Sequence, residues 1–253
     1  MEVDVAVVGG GIAGVSLAAE LVQPGSLRVA LLEQESQLAY HASGRSAATF
    51  LESYGSPQIR ALTRASRPVF DQAGEAQAPL LSPRPLIWLA GDAHRSELDA
   101  LVAAEPLLRP LDEAQVRRFC PAIRPGWAAA GAIETGAQDL DVAGLFEYYR
   151  RMASRAGVHI VTRARVSAGE AAATGWRLHT DAGELRASIV VNAAGAWADV
   201  LARRCGARPI GLTPMRRTVA VASTSEPVRG WPLVADIAEG FYFRPEGDAL
   251  LLS

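Results

Sequence analysis

Close to its N-terminus the chain reads Val7-Val8-Gly9-Gly10-Gly11-Ile12-Ala13-Gly14, with three glycines in the spacing G-x-G-x-x-G. The stretch follows an apolar, β-branched run at residues 3–8, which predicts a buried strand. Residues 11–22 then predict a helix that ends at Pro24-Gly25. A glycine loop between a strand and a helix is typical of sites that bind the diphosphate of a dinucleotide.

Each glycine has a separate expected task in such a loop. Gly9 permits the tight turn, Gly11 lets a pyrophosphate approach the backbone, and Gly14 lets the helix pack closely on the strand. Residues 28–33 predict a second strand, and Glu33 at its end is placed to bind ribose hydroxyls. A carboxylate there repels the 2′-phosphate of NADP, so FAD or NAD is favoured. The alternative is an ordinary glycine turn with a solvated Glu33.

The composition excludes several classes of protein. The chain has 253 residues with 25 basic against 27 acidic side chains, and it contains no lysine. This balance argues against nucleic-acid binding through bulk positive charge. Hydrophobic residues make up 49% of the chain, yet no apolar run approaches the ~18–20 residues of a membrane helix. The N-terminus lacks the basic region of a signal peptide, and Cys120 and Cys205 have no metal-ligand spacing, so we expect a cytoplasmic protein without a metal.

The predicted elements divide into two interleaved domains. A strand-helix-strand order builds a parallel sheet, so an α/β nucleotide-binding domain is assigned to residues 1–50 and 141–206. A strand-rich domain is assigned to residues 51–140 and 207–253. Helices are predicted at 57–71, 97–104, 112–119 (with Asp112 as N-cap), 142–155 and 197–205. Strands are predicted at 86–89, 158–161, 176–180, 185–191, 218–222, 233–236, 240–244 and from 250, with a hairpin turn at Asp181-Ala182-Gly183-Glu184.

Two further stretches suit a nucleotide that carries a flat ring. The first, Tyr40-His41-Ala42-Ser43-Gly44-Arg45-Ser46-Ala47-Ala48, is small and rich in hydroxyl groups, with one arginine. The second, Val190-Val191-Asn192-Ala193-Ala194-Gly195-Ala196-Trp197, leads a strand into a turn of small residues. The alternative interpretations are the start of a helix and an ordinary strand-to-helix turn.

Together the glycine loop, Glu33 and these two stretches resemble the FAD-dependent D-amino-acid oxidase family, which includes glycine and sarcosine oxidases. Within it the chain is most similar to the bacterial D-arginine dehydrogenases. The similar stretches also include Tyr54-Gly55-Ser56-Pro57-Gln58-Ile59-Arg60-Ala61-Leu62-Thr63, Leu80-Leu81-Ser82-Pro83-Arg84-Pro85, and Arg216-Arg217 followed by Phe241-Tyr242.

The resemblance implies a Rossmann-like FAD-binding domain with an interleaved, strand-rich substrate domain. It covers only about the first two thirds of a family member, and residues 248–253 end inside an apolar run. We therefore expect the C-terminal third to be missing. In the family that third carries a second carboxylate-binding arginine and a glycine-rich loop near the flavin.

The resemblance also assigns roles to residues of the loop, the second strand and the two small-residue stretches. FAD contacts are implied for Gly9, Gly11, Ala13, Gly14, Glu33, Gln34, Ala42, Ser43, Gly44, Arg45, Ser46, Ala47, Ala48, Thr49, Val166 and Gly195. Within this set the resemblance implies that residues 42–49 line the flavin and that Val166 contacts the adenine through its backbone. Substrate contacts are implied for Tyr54, Leu86, Arg217 and Tyr242. Among these, Tyr54, Arg217 and Tyr242 are the candidate catalytic residues, and Arg217 would pair with the substrate carboxylate.

The chemistry of the side chains supports part of this assignment. Arginine binds a carboxylate through a planar fork, and Arg217 directly precedes a predicted strand. The adjacent Arg216 is expected on the opposite face. The alternatives are two surface arginines, and core aromatics with satisfied hydroxyls at Tyr54 and Tyr242.

Two departures from the D-arginine dehydrogenases bear on the substrate. Leu86 stands where those enzymes carry a glutamate that holds the cationic end of the substrate, and Thr49 stands where they carry a histidine. Without the glutamate a buried cation has no partner, which is costly. Leu86-Ile87-Trp88 is instead expected to line an apolar pocket.

The implied reaction is oxidation of a D-amino acid to an imino acid, which hydrolyses to a 2-oxo acid and ammonia. No histidine has the partner pattern of a catalytic base, and oxygen and a quinone stay open as electron acceptors. The alternatives are a glycine- or sarcosine-type amine oxidase on the same fold, a flavin-binding module without turnover, and an NAD enzyme.

Overall fold

The computed structural model describes residues 1–22, 27–75 and 78–253, and the predicted helix end at Pro24-Gly25 lies outside them. The described chain divides into two units. Unit 1 consists of Met1–Ala47 and Asp141–Met215, and unit 2 consists of Ala48–Leu140 and Arg216–Ser253.

The elements of the described residues follow in chain order. The strands are β1 (Glu2–Val8), β2 (Val29–Leu32), β3 (Thr49–Phe50), β4 (Leu81–Pro83), β5 (Leu86–Ala90), β6 (Leu108–Leu111), β7 (Ala130–Glu134), β8 (Gln138–Leu140), β9 (His159–Val161), β10 (Val166–Ala172), β11 (Gly175–Thr180), β12 (Gly183–Asn192), β13 (Ala220–Ser223), β14 (Leu233–Asp236), β15 (Tyr242–Glu246) and β16 (Ala249–Leu252). The α-helices are α1 (Ile12–Leu21), α2 (Pro57–Glu75), α3 (Arg95–Ala104), α4 (Glu113–Phe119), α5 (Val142–Arg155) and α6 (Ala198–Arg204). Short 3-10 helices cover Ala42–Arg45, Asp92–His94, Gly195–Trp197 and Val228–Gly230.

Unit 1 is built on a six-stranded sheet with the order β10-β11-β12-β1-β2-β9. Strand β1 lies parallel to β2 and to β12, with Val5 opposite Val29 and Ile189, and β2 lies parallel to β9. All four residues of β2 are buried, because central strands of a parallel sheet are covered on both faces. The expected strand-helix-strand unit is confirmed. The predicted hairpin is confirmed as well, since β11 and β12 are antiparallel with Thr180 opposite Gly183.

Unit 2 contains a seven-stranded mixed sheet with the order β13-β16-β15-β14-β5-β7-β6, and a three-stranded sheet, β3-β8-β4. Alternate residues of β5 face opposite sides of the larger sheet. Leu86 and Trp88 join a core cluster with Leu98 of α3, whereas Ile87 joins the cluster around Val116 of α4. The prediction that Leu86, Ile87 and Trp88 line one pocket is therefore wrong for Ile87, because successive strand residues point to opposite faces.

Side-chain caps fix two of the helix starts. Asp112 accepts the N–H of Gln115 at 2.7 Å while the Gln115 side chain accepts the N–H of Asp112 at 2.9 Å, so the predicted N-cap is confirmed as a full capping box. Asp141 accepts the N–H of Gly144 at 2.8 Å at the start of α5, which has the predicted bounds. No helix within the described ranges has the length and apolarity to cross a membrane.

Asp199, in the first turn of α6, holds the chain that follows the helix. Its carboxylate accepts three successive backbone N–H groups, from Ile210 at 3.0 Å and from Gly211 and Leu212 at 2.9 Å each. Burial acts to raise the pKa of the Asp199 carboxyl, but the N–H donors outweigh it and bring that pKa below its ordinary value. The carboxylate thus fixes a segment that has no strand or helix of its own.

Candidate functional site

A cavity of about 230 Å³ opens in unit 1 at the carboxyl ends of β1, β2 and β12. Its lining begins with Val8 and Gly9 after β1, includes Glu33 after β2, and includes Ala193 and Ala194 after β12. In open α/β sheets ligands bind in this position, outside the carboxyl ends of the strands. The sheet therefore places the glycine loop and the predicted acidic residue around one cavity.

The three glycines of the loop meet different neighbours. A Cβ on Gly9, whose φ is +121°, would lie 2.2 Å from the carbonyl oxygen of Ala193, and one on Gly14 would lie 1.9 Å from that of Gly9. A Cβ on Gly11 would meet only Ser43 Oγ, at 3.1 Å. Gly9 and Gly14 thus permit close approach within the protein, whereas Gly11 has the open surroundings that a ligand needs.

Glu33 is held rigidly at the edge of the cavity. The residue is 8% exposed; its Oε2 accepts the N–H of Gly10 and its Oε1 accepts the N–H of Glu35, each at 2.8 Å. Each carboxylate oxygen has a further lone pair, so the fixed group can still accept hydrogen bonds from ribose hydroxyls. Gln34 lines the same part of the cavity.

The stretch expected to line a flavin is divided by the structure. Ala42 and Ser43 line the cavity, and Ser43 Oγ accepts the N–H of Ile12 at the start of α1 at 2.9 Å. The other members belong to two groups. Gly44, Arg45, Ser46 and Ala47 lie in unit 1 outside the lining, and Ala48 and Thr49 lie in unit 2. Ala13 lies in α1, also outside the lining, whereas Val166 and Gly195 belong to it.

An aromatic group on the cavity wall joins residues of the two small-residue stretches, a contact that the sequence did not indicate. The His41 ring is 4.5 Å from that of Trp197 and 5.0 Å from that of Tyr40, centroid to centroid. His41 Nε2 lies 2.9 Å from a carboxylate oxygen of Glu35, six residues earlier in the chain. Glu35 lies in a bend and His41 in a turn, so no helix or strand periodicity predicts the pair from the sequence.

Arg204 is a second cavity residue that sequence reasoning missed. It ends α6, lines the cavity, and donates from Nη1 to the carbonyl oxygen of Val166 at 2.8 Å. Val166 begins β10, a strand with no counterpart in the sequence prediction. The contact joins residues 38 positions apart, which only the folded sheet brings together.

Three of the predicted substrate residues share one face of the larger sheet in unit 2. Leu86 is fully buried beside Trp88, and Tyr242 packs against the same cluster. Tyr54 is 49% exposed, and its ring stacks on that of Trp88 with centroids 6.5 Å apart and planes 7° from parallel. Arg217 lies before β13, not in a strand; its side chain is 66% exposed and faces Glu239 at 3.8 Å.

Glu134 is a buried carboxyl beside this group that no sequence pattern singled out. It lies opposite Leu86 in the β5–β7 pairing and is 1% exposed. It accepts hydrogen bonds from Ser53 Oγ and from the backbone N–H groups of Glu52 and Ser53. Burial raises the pKa of Glu134, with a further contribution from the charge of Glu52, while the hydrogen bonds partly oppose this shift. The carboxyl therefore anchors the segment that carries Tyr54.

Sequence comparison identifies a protein family and curated relatives that this chain resembles. The family model described as FAD dependent oxidoreductase (DAO) matches residues 4–253. Human mitochondrial dimethylglycine dehydrogenase is 26% identical over 264 aligned residues, which cover 97% of this chain and 29% of that protein. The rat enzyme is also 26% identical, with 30% of its length covered, so the chain spans less than a third of these curated relatives.

Among solved structures, glycine oxidase from Geobacillus kaustophilus superposes with a TM-score of 0.79 at 25% identity, covering 99% of this chain and 70% of that one. L-α-glycerophosphate oxidase from Mycoplasma pneumoniae, solved with FAD bound, superposes with a TM-score of 0.80 at 19% identity. The superposition covers all of this chain and 70% of that one. The second likeness concerns the fold alone.

Proposed function

This chain belongs to the DAO family of FAD-dependent oxidoreductases, and from that premise we propose that the whole protein oxidises the CH–NH2 group of a D-amino acid. The product is an imino acid, which water hydrolyses to a 2-oxo acid and ammonia. When bound, FAD supplies the acceptor for the hydride that leaves Cα. The protein's task is to orient Cα–H and to hold the substrate carboxylate.

The observation that carries this proposal is the cavity of unit 1, whose residues fit FAD. The open surroundings of Gly11 suit a pyrophosphate beside the loop, and the fixed carboxylate of Glu33 suits the adenosine ribose. The residues proposed to hold FAD include these members of the cavity lining: Gly9, Gly11, Glu33, Gln34, Ala42, Ser43, Val166 and Gly195. Outside the lining they include Ala13 and Gly14 of α1 and the stretch Gly44, Arg45, Ser46, Ala47, Ala48 and Thr49.

On the substrate side, Arg217 would bind the carboxylate while Tyr54 and Tyr242 contact the rest of the molecule. The present partner of Arg217 is an exposed glutamate 3.8 Å away, and such surface pairs contribute little, so the guanidinium is available for a better carboxylate. The stacked ring of Tyr54 is half exposed and Tyr242 is half buried, which leaves part of each for a ligand.

We propose further that neutral D-amino acids are preferred over D-arginine and D-lysine. Leu86 offers no charge to a cationic side chain. Glu134 lies beside it on the neighbouring strand, but its carboxylate is already engaged by Ser53 and two backbone N–H groups. A desolvated cation without a free partner costs more than the ~1–3 kcal/mol that a methylene gains in an apolar pocket.

The test is kcat/KM with an artificial electron acceptor, over D-methionine, D-leucine, D-phenylalanine, D-arginine, D-lysine, glycine, sarcosine and dimethylglycine. Higher values for the neutral D-amino acids support the proposal. Higher values for glycine or the N-methylated amines support an amine oxidase, the alternative favoured by the similarity to glycine oxidase and dimethylglycine dehydrogenase. Bound flavin that no substrate reduces supports a binding module without turnover.

The role of Arg217 has its own control in the neighbouring arginine. Arg217→Met should raise KM strongly, by about 2–5 kcal/mol in binding free energy for a lost carboxylate pair. Arg216→Met removes the same charge and should leave KM near its original value. Equal effects of the two substitutions would move the role away from Arg217.

A further inference from the structure

We propose that Arg204 reads the adenine ring of the bound cofactor, in partnership with the carbonyl group of Val166. The inference rests on FAD occupying the cavity of unit 1 and is independent of which substrate the protein oxidises. The family resemblance already implies that the backbone of Val166 contacts adenine; the new element is a side chain, Arg204, that helps to select the base.

The first observation is position. Val200, Leu201 and Arg204 all line the cavity, and their spacing of three and four residues places them on one face of α6. Arg204 is fixed there because its Nη1 donates to Val166, which lines the same wall. This hydrogen bond holds the guanidinium at the edge of the cavity, although the residue as a whole is exposed.

The second observation indicates which end of the nucleotide lies near Arg204. Ala164 donates its N–H to the carbonyl oxygen of Glu33 at 2.8 Å, so the 164–166 stretch runs beside the residue expected to bind the ribose. The pyrophosphate is expected at the glycine loop, on the other side of that ribose. Arg204 and Val166 therefore lie toward the adenine end of the nucleotide.

The third observation is chemical complementarity. A carbonyl oxygen beside an arginine N–H presents an acceptor next to a donor. Adenine presents the matching pair on two of its edges, with the N6 amino group as donor and N1 or N7 as acceptor. The Val166 oxygen keeps a second lone pair for N6, and the guanidinium keeps four N–H groups for the ring nitrogen.

Arg204 differs from Arg165, which also lines the cavity, in the group that it faces. Among the described residues two arginines line the cavity, and Arg165 faces the carboxylate of Asp181 at 3.4 Å. The hydrogen-bond acceptor of Arg204 is a neutral carbonyl group, which leaves its charge available to strengthen a bond to adenine.

The experiment measures binding, not turnover, on the flavin-free chain. Arg204→Met keeps the length of the side chain and removes its donors. Arg203→Met is the matched control, because it removes the same charge from the same helix turn at a residue outside the cavity lining. The probes are adenosine, ADP, 1-deazaadenosine, which lacks N1, and 7-deazaadenosine, which lacks N7.

We expect Arg204→Met to raise the Kd of adenosine and of ADP by the same factor, about tenfold or more, and Arg203→Met to leave both near the original value. In the original chain one deaza analogue should bind more weakly than adenosine, and this difference should vanish in Arg204→Met. That coupling distinguishes a direct contact from damage to the fold, which would weaken all nucleosides alike.

Three results would overturn the proposal. Unchanged adenosine binding with weakened ADP binding would assign Arg204 to the diphosphate. A preference for adenosine over the deaza analogues that survives in Arg204→Met would assign the reading of the base to another group. Equal losses for adenosine and both analogues, together with a lowered melting temperature, would leave Arg204 a structural anchor of β10.

Discussion

Single residues of the glycine loop differ in what a methyl group would meet. At Gly14 the obstacle is the carbonyl of Gly9, which belongs to the backbone and cannot turn aside. At Gly11 it is the hydroxyl of Ser43, the far end of a short side chain that has other rotamers. The same substitution should therefore affect folding at one position and ligand binding at the other.

Gly14→Ala should lower the free energy of unfolding by roughly 1–3 kcal/mol, because the added methyl group overpacks a rigid contact. Gly11→Ala should cost less stability than Gly14→Ala, because only the Ser43 hydroxyl, which accepts the N–H of Ile12, has to shift. It should weaken FAD binding, since the added methyl group narrows the open surroundings of the loop. Urea denaturation of the flavin-free proteins and flavin fluorescence titration measure the two effects. Tight FAD binding by Gly11→Ala would contradict the assigned role of Gly11.

Glu134 should make stability depend on pH in a defined direction. Burial raises its pKa in the native state, so the folded protein retains a proton that the unfolded chain releases. Its stabilising contribution is complete below the ordinary glutamate pKa and is lost as pH rises from there through the raised native value. The native chain should therefore lose stability relative to Glu134→Gln over that interval.

Denaturation of the native chain and of Glu134→Gln at several pH values tests this directly. The exposed Glu226 provides the control, because Glu226→Gln should run parallel to the native chain. A constant difference between the native chain and Glu134→Gln across the interval would mean that the carboxyl does not titrate as expected.

For single residues, what the sequence can predict depends on how far apart in the chain the interacting residues lie. The glycine loop and Glu33 lie within one strand-helix-strand unit, so local spacing predicts that they lie at the same edge of the sheet. Glu134 and Arg204 acquire their partners across 81 and 38 residues. No local pattern contains that information, which enters only when strands pair.

Helices and strands differ in how far their own residues determine them. The cap at Asp141 fixes the start of α5, its amphipathic spacing continues to its end, and its bounds agree with the prediction. Strand β7, with the sequence Ala-Gly-Ala-Ile-Glu, has little intrinsic preference for an extended backbone and is held by β5 and β6 on either side. Strands of this kind are missed because their stability comes from neighbours that the local sequence does not show.

The capping box of α4 supplies a test at the scale of one element. Asp112→Ala removes the acceptor for the N–H of Gln115 and should lower the free energy of unfolding by ~1 kcal/mol. Asp112→Ser keeps a capping oxygen and should recover most of the loss. Equal destabilisation by the two substitutions would show that the cap itself contributes little and that another contact of Asp112 was lost.

For the whole molecule the main feature is a chain that leaves unit 1 at Ala47 and returns to it at Asp141. The first and last residues of the intervening segment are neighbours, since Leu140 donates its N–H to the carbonyl oxygen of Ala48 at 2.8 Å. A short flexible connection can replace a segment whose ends are this close, because loop closure over a few residues costs little.

We therefore expect residues 1–47, a short glycine-serine linker and residues 141–215 to form a folded protein that binds ADP with a Kd close to that of the whole chain. Isothermal titration and a cooperative urea transition are the measurements. A control in which the linker joins residues 1–47 to 151–215, so that the first two turns of α5 are lost, should fail to fold. Absence of a cooperative transition in the first protein would show that unit 1 depends on unit 2.

The three N–H groups held by Asp199 have a consequence for isotope exchange. Ile210 is 80% exposed and the 210–212 segment has neither helix nor strand, so its amide hydrogens would ordinarily be replaced by deuterium almost at once. Bonded to one carboxylate, they should exchange more slowly than those of comparably exposed loops. Mass spectrometry of a peptide covering these residues should show that delay, and Asp199→Ala should abolish it, so the deuterium uptake of this peptide reports on a single side chain of α6.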